Sequence, residues 1–127
     1  MPKKHPHTAA SQLAGNLFGK ILNRDADREG YAYVLDSLET GRSSVRQHVV
    51  EMLSSDEFID KFLKGAPTSA VRTLNKVLLG VQPDAPRLER EARKFIRMGL
   101  RSYADELLNS AAYRNTVGED SVPPFGH

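Results

Sequence analysis

Cysteine is absent from the 127 residues, and with it go disulfides, thiolate metal sites, a thiol nucleophile and any cofactor held by a thioether bond. Histidine is scarce, confined to His5, His7, His48 and His127, and no motif sets one beside a nucleophile or into a metal triad. His5 and His7 flank Pro6 in a basic arm over residues 1–8 that is expected to be mobile, and neither is expected to have a structural part. No apolar run approaches the roughly 20 residues of a membrane span. The opening "MPKKHPHTAAS" has two lysines with no apolar stretch behind them, so it does not read as a signal peptide. An enzyme would need an acid pair that no motif announces. The expectation is a non-catalytic cytoplasmic protein with no cofactor and no metal.

What is present is uneven charge. The formal net charge is only +2, but its distribution says more about partners than its sum. Residues 86–101 carry Arg87, Arg90, Arg93, Lys94, Arg97 and Arg101 against Glu89 and Glu91, and the chain turns acidic from Ser102 onward.

Every long periodic stretch has the helical period, and sustained strand alternation is missing. Helices are predicted near 9–22, 27–40, 44–53, 55–63, 69–79, 85–98, 102–109 and 110–117. Between them "TGRSS", "KGAPTS", "GVQPDAP" and "GLRS" combine glycine, proline and hydroxyl caps. Ser44 with Gln47, and Ser54 with Glu57, have capping-box spacing. The fold class is therefore all-α, a compact bundle of about eight short helices.

"NRDADREGYAYVLDSL" concentrates acidic side chains around Gly30, which raises the question of a calcium loop. Counted from Asp25, an EF-hand register would use Asp27, Glu29 and Asp36, with Gly30 at the turn. Glu29 stands where Asp or Asn is usual, and the shorter Asp36 replaces the closing bidentate glutamate. A helix start asks for less. Asp27 makes an N-cap, Glu29 lies in the first turn, Tyr31, Val34, Leu35 and Leu38 follow at helical spacing, and Gly41 ends the run.

The second half of the chain echoes the first. "LFGKILNRDAD" (17–27) aligns with "LNKVLLGVQPD" (74–84), pairing Leu17 with Leu74, Ile21 with Leu78, Leu22 with Leu79 and Asp27 with Asp84. "EMLSSDEF" (51–58) aligns with "ELLNSAAY" (106–113), pairing Leu53 with Leu108, Ser55 with Ser110 and Phe58 with Tyr113. Asp84 is followed by Pro86, as at a helix start, while the acidic ligands have no counterparts there. One domain over 9–127, built from two similar four-helix halves near 9–65 and 66–127, accounts for the pattern.

The ending "ELLNSAAYRNTVGEDSVPPFG" resembles the closing segment of phycobilisome linker domains at Leu108, Ser110, Tyr113, Gly118, Glu119, Val122, Pro123 and Gly126. "KVLLGVQP" (76–83) is similar to that family's mid-domain turn, and "TAASQLAG" (8–15) to its start. Three features depart from the family pattern. Val81 stands where an arginine is usual, the tail reads "VPPFGH", and the aromatic-rich join between halves is reduced to "KGAPTSAVR".

The resemblance implies a non-catalytic plug in the channel of a phycobiliprotein hexamer, of phycocyanin, allophycocyanin or phycoerythrin. It would direct phycobilisome assembly and tune energy transfer, at the cytoplasmic face of the thylakoid, without the tail that docks to the next disc. Any bilin would belong to the partner.

For an acidic ring interior, the candidate contacts are Arg87, Arg90, Arg93, Lys94 and Arg97, which helical spacing places mostly on one side. The plain alternative is a solvated charged face, with pairing such as Glu89 to Arg93 absorbing part of it. Tyr31, Phe58, Phe62, Phe95, Tyr103 and Tyr113 are expected in the core. Tyr33 is the expected exposed exception, and Phe125 is either an anchor or a lid. Nucleic-acid binding has no fingerprint beyond the arginines, and the acidic end counts against it. An interaction module of the same fold with a different protein partner stays open, as does self-association of the isolated chain.

Overall fold

The computed structural model describes residues 3–127. Eight α-helices follow in order: α1 (His7–Leu17), α2 (Arg28–Thr40), α3 (Val45–Leu53), α4 (Asp56–Phe62), α5 (Pro67–Leu79), α6 (Ala85–Met98), α7 (Leu100–Asn109) and α8 (Ala111–Thr116). A π-helical turn, Phe18–Leu22, extends α1. Among the described residues there is no strand, and no helix is long and apolar enough to cross a membrane.

Capping chemistry sets most of these starts. Asp27 accepts from the Gly30 N–H, and Asp84 from the Arg87 N–H. Ser44 and Gln47 form the reciprocal box. The second expected box shifts by one residue, because Ser55 accepts from Phe58 N–H while Ser54 bonds back to the Val50 carbonyl. Three helices begin earlier than expected. α1 starts directly after Pro6, α5 takes Pro67 into its first turn, and α7 starts at once after Gly99, whose φ is 84°. His5 donates its backbone N–H to the Leu38 carbonyl at 3.0 Å and is buried, and His7 Nδ1 lies 3.4 Å from Glu39 Oε1. This corrects the expectation that these histidines have no structural part.

The two halves, α1–α4 and α5–α8, repeat local details. Asn23 and Gly80 both end their helices in the left-handed region, at φ 55° and 74°. Ser55 and Ser110 each cap a helix and donate to the carbonyl three residues back. Phe58 and Tyr113, paired in the alignment, are both buried. One continuous core joins Leu17, Ile21, Leu38, Val49 and Leu53 to Leu74, Leu78, Tyr103 and Leu108. Tyr31, Phe62 and Phe95 pack at its margin. Where α3 meets α7, Arg46 pairs with Asp105 at 2.8 Å. The C-terminal segment returns across both halves. Phe125 sits over Gly80, while the His127 ring stacks on Phe62 at 3.8 Å and its Nε2 lies 2.8 Å from the Ile21 carbonyl oxygen.

Candidate partner interface

Helix α6 turns Leu88 and Ala92 inward and sets Phe95 edge-on to Tyr103 at 5.5 Å. At 3.6 residues per turn the opposite side carries Arg90, Arg93 and Arg97 within an arc of about 60°. Arg87 lies on the flank of that arc. All four arginines are exposed, and none makes an ion pair among the described residues. The Glu89–Arg93 pair considered from the sequence does not form, and both residues are exposed.

Lys94 departs from the other candidates. Its Nζ lies 2.6 Å from Glu106 Oε1 on α7 and 3.5 Å from Glu91 Oε2. The Glu106 carboxylate, and secondarily that of Glu91, holds its ammonium above the usual lysine value. This cation is committed to the fold.

Tyr33 is 52% exposed on α2 and stands edge-on to the His48 ring at 5.8 Å. Phe125 is 40% exposed, with its inner face against the α5–α6 corner. Val81 is exposed at the same corner. The structure therefore puts Phe125 and the start of α6 together in the second half, with Tyr33 on the first.

Two of the acidic side chains around Gly30, Asp27 and Asp36, are spent on local structure. Asp27 binds Gly30 N–H at 3.1 Å and Arg24 at 3.3 Å, and that backbone bond is the main cause holding its carboxyl below the usual range. Asp36 is engaged by Arg42. Arg24 also forms a two-point pair with Glu57, at 2.7 and 3.0 Å, that ties the π-helical turn to α4. Among the described residues no three His, Asp or Glu side chains converge as metal ligands would.

Two grooves were not foreseen from the sequence. One, of about 220 Å³, is walled by Phe18, Leu22, Val34 and Met52, with Tyr33 and His48 beside them. His48 is buried, and burial pulls its imidazole below the ordinary value of 6.5, opposed by the nearby Glu51 carboxylate. The other groove, of about 360 Å³, lies among α6, α7 and α8. The sequence did hold a signal for them, in the repeat that aligns Glu51 with Glu106 and Ser55 with Ser110.

The family model for phycobilisome linker polypeptides matches residues 7–125, nearly the whole described fold. A segment of "Phycobiliprotein ApcE" from Microchaete diplosiphon is 33% identical over 122 residues, covering 91% of this chain. The chain spans about a ninth of that protein's length, 11%. With the repeated four-helix halves and the terminal segment laid over the core, this match places the chain in the phycobilisome linker polypeptide family.

Proposed function

We propose that the chain is a non-catalytic structural linker that sits within a phycobiliprotein hexamer ring, directs phycobilisome assembly and tunes energy transfer from the bound pigments. The observation that carries this reading is the family match across residues 7–125. Arg87, Arg90, Arg93 and Arg97, exposed and unpaired among the described residues, supply a cationic face suited to an acidic ring interior, where complementary charge speeds encounter and fixes register. Lys94 adds little to that field, because Glu106 and Glu91 offset its charge. Tyr33 and Phe125 are the apolar anchors of this proposal, aromatic groups of the kind that dominate interface energetics. A location peripheral to the thylakoid's cytoplasmic face follows from the same reading. Capture of tagged chain on phycocyanin, allophycocyanin and phycoerythrin, with absorption spectra of the retained pigment, tests it. A coloured, salt-sensitive complex with a shifted band supports the linker and names the ring. Colourless eluates from all three refute it.

A second reading is favoured by one specific residue. Val81 is 63% exposed at the α5–α6 corner, where the family resemblance places an arginine. An interaction module of this fold with a different protein partner would carry such a change, and uncoloured capture of a single protein would favour it.

A further inference from the structure

Each half carries a groove in a corresponding place, and in only one of the two does a lysine of the chain itself meet the carboxylate at the rim. Besides Lys94, the wall of the second-half groove includes Leu79, Arg87, Glu91, Glu106, Leu107 and Ser110. Matching the caps Asp27 with Asp84 and Ser55 with Ser110 carries these positions onto Leu22, Gly30, Val34, Glu51, Met52 and Ser55. All six line the first-half groove. The two are one site repeated within the chain.

Their contents differ. At the second groove the Lys94 ammonium bridges Glu106 and Glu91, and behind its wall the buried Tyr103 hydroxyl donates to Glu91 at 2.9 Å and accepts from Asn75 at 3.0 Å. In the first groove Val34 stands for Glu91, Phe18 for Asn75 and His48 for Tyr103, while the counterpart of Lys94 is Ser37, buried behind the groove and turned onto the Tyr33 carbonyl. Glu51 remains as the equivalent of Glu106. The nearby cations Arg24 and Lys61 are held by Glu57. Among the described residues Glu51 therefore forms no ion pair with a Lys or Arg, although Arg46 and Arg101 line an adjoining groove with it, and Nδ1 of the buried His48 imidazole lies 3.9 Å away. His48 Nε2 is buried without a hydrogen-bond partner.

We propose that the first-half groove receives a lysine side chain from the protein partner, repeating between chains what Lys94 does within one. The unbranched alkyl stem lies along Phe18, Val34 and Met52, and the ammonium meets Glu51 beside the Tyr33 ring. Charge complementarity chooses the occupant, because the groove is apolar along its walls and carries an unmatched carboxylate at its rim. The inference rests on reading the chain as a protein-binding module, whichever protein that is.

The test titrates the isotope-labelled full chain with n-pentylammonium, the lysine side chain together with its Cα, and with 1-pentanol as the neutral isostere, following backbone amide resonances. Pentylammonium should give saturable shifts at Tyr33, His48, Glu51 and Met52, and Glu51→Gln should weaken them by up to about fivefold, the range of a partly exposed ion pair. Lys94→Ala should free the Glu106 carboxylate at the second groove, so that pentylammonium then also shifts Glu106 and Leu107 and raises that variant's melting temperature. The proposal is overturned by pentanol binding as well as pentylammonium, by an unaffected Glu51→Gln variant, or by the absence of saturable shifts. Self-association abolished by Glu51→Gln would assign the groove to a lysine of a second copy and would also overturn it. Pigment capture without groove shifts would sink the groove alone and leave the linker reading in place.

Discussion

Gly80 is where one hydrogen atom in place of a methyl group holds the chain's end against its middle. Its φ is 74°, and a Cβ there would lie 2.5 Å from Phe125 Cδ1. Gly80→Ala therefore combines left-handed strain of about 1–2 kcal/mol with a collision against the ring. In urea unfolding, the double variant Gly80→Ala/Phe125→Ala should lose less stability than the two single losses added, because removing the ring removes the collision. Additive losses would mean that the ring does not rest there.

His48 makes a second prediction at this scale. Its pKa is depressed in the fold by burial, so as pH falls below 6.5 the unfolded chain binds a proton before the folded chain does. The stability it contributes is full above that value and is lost as pH drops towards the folded pKa. His48→Gln should flatten this part of the stability–pH curve, measured by urea midpoints between pH 7 and the onset of carboxylate protonation. Glu51→Gln should steepen it, since the Glu51 charge opposes the shift. A curve that keeps its slope in His48→Gln would place the titration elsewhere.

Among the elements, α6 separates stability from binding most cleanly. Arg90, Arg93 and Arg97 are exposed and unpaired among the described residues, so reversing them to glutamate should move stability by no more than about 0.5 kcal/mol per site. Ser110→Ala, by contrast, removes the α8 cap and should cost about 1 kcal/mol, as should Ser55→Ala at α4. Circular dichroism melts of the triple and the single variants distinguish these outcomes.

Helix positions were legible where side chains bond their own backbone. Asp27, Ser44 and Asp84 announce their helices because a cap is a local event within four residues. The π-helical turn at Phe18–Leu22 was not legible, since Phe18, Ile21 and Leu22 keep helical spacing and only the backbone bonding changes. Early starts at His7 and Leu100 escaped notice because Pro6 and Gly99 act as entries there, whereas composition alone marks them as breaks. Lys94 looked like its arginine neighbours in sequence. Its pairing with Glu106 depends on α7 folding back beside α6, which helix periodicity does not encode.

For the whole molecule, the repeat is both architecture and source of asymmetry. One core runs through both halves, with α3 against α7 at the seam, so unfolding should be a single transition. Leu108→Ala, fully buried in the second half, should cost about 2–5 kcal/mol and lower the unfolding midpoint seen at Tyr33 in the first half equally. Two separated transitions would contradict a shared core. Divergence between the halves then gives each its own surface. The second carries the arginine arc and a groove whose rim glutamate is paired with its own lysine, and the first carries Tyr33, His48 and a Glu51 without a Lys or Arg partner among the described residues.

The most direct measurement is the affinity of purified phycobiliprotein hexamers for the wild-type chain and for the Arg90→Glu/Arg93→Glu/Arg97→Glu variant, at low and moderate salt. If α6 docks against an acidic ring, the wild type binds, its affinity falls as salt rises, and the variant binds much more weakly at low salt while melting normally. Equal affinity of the two chains at both salt levels would contradict the account.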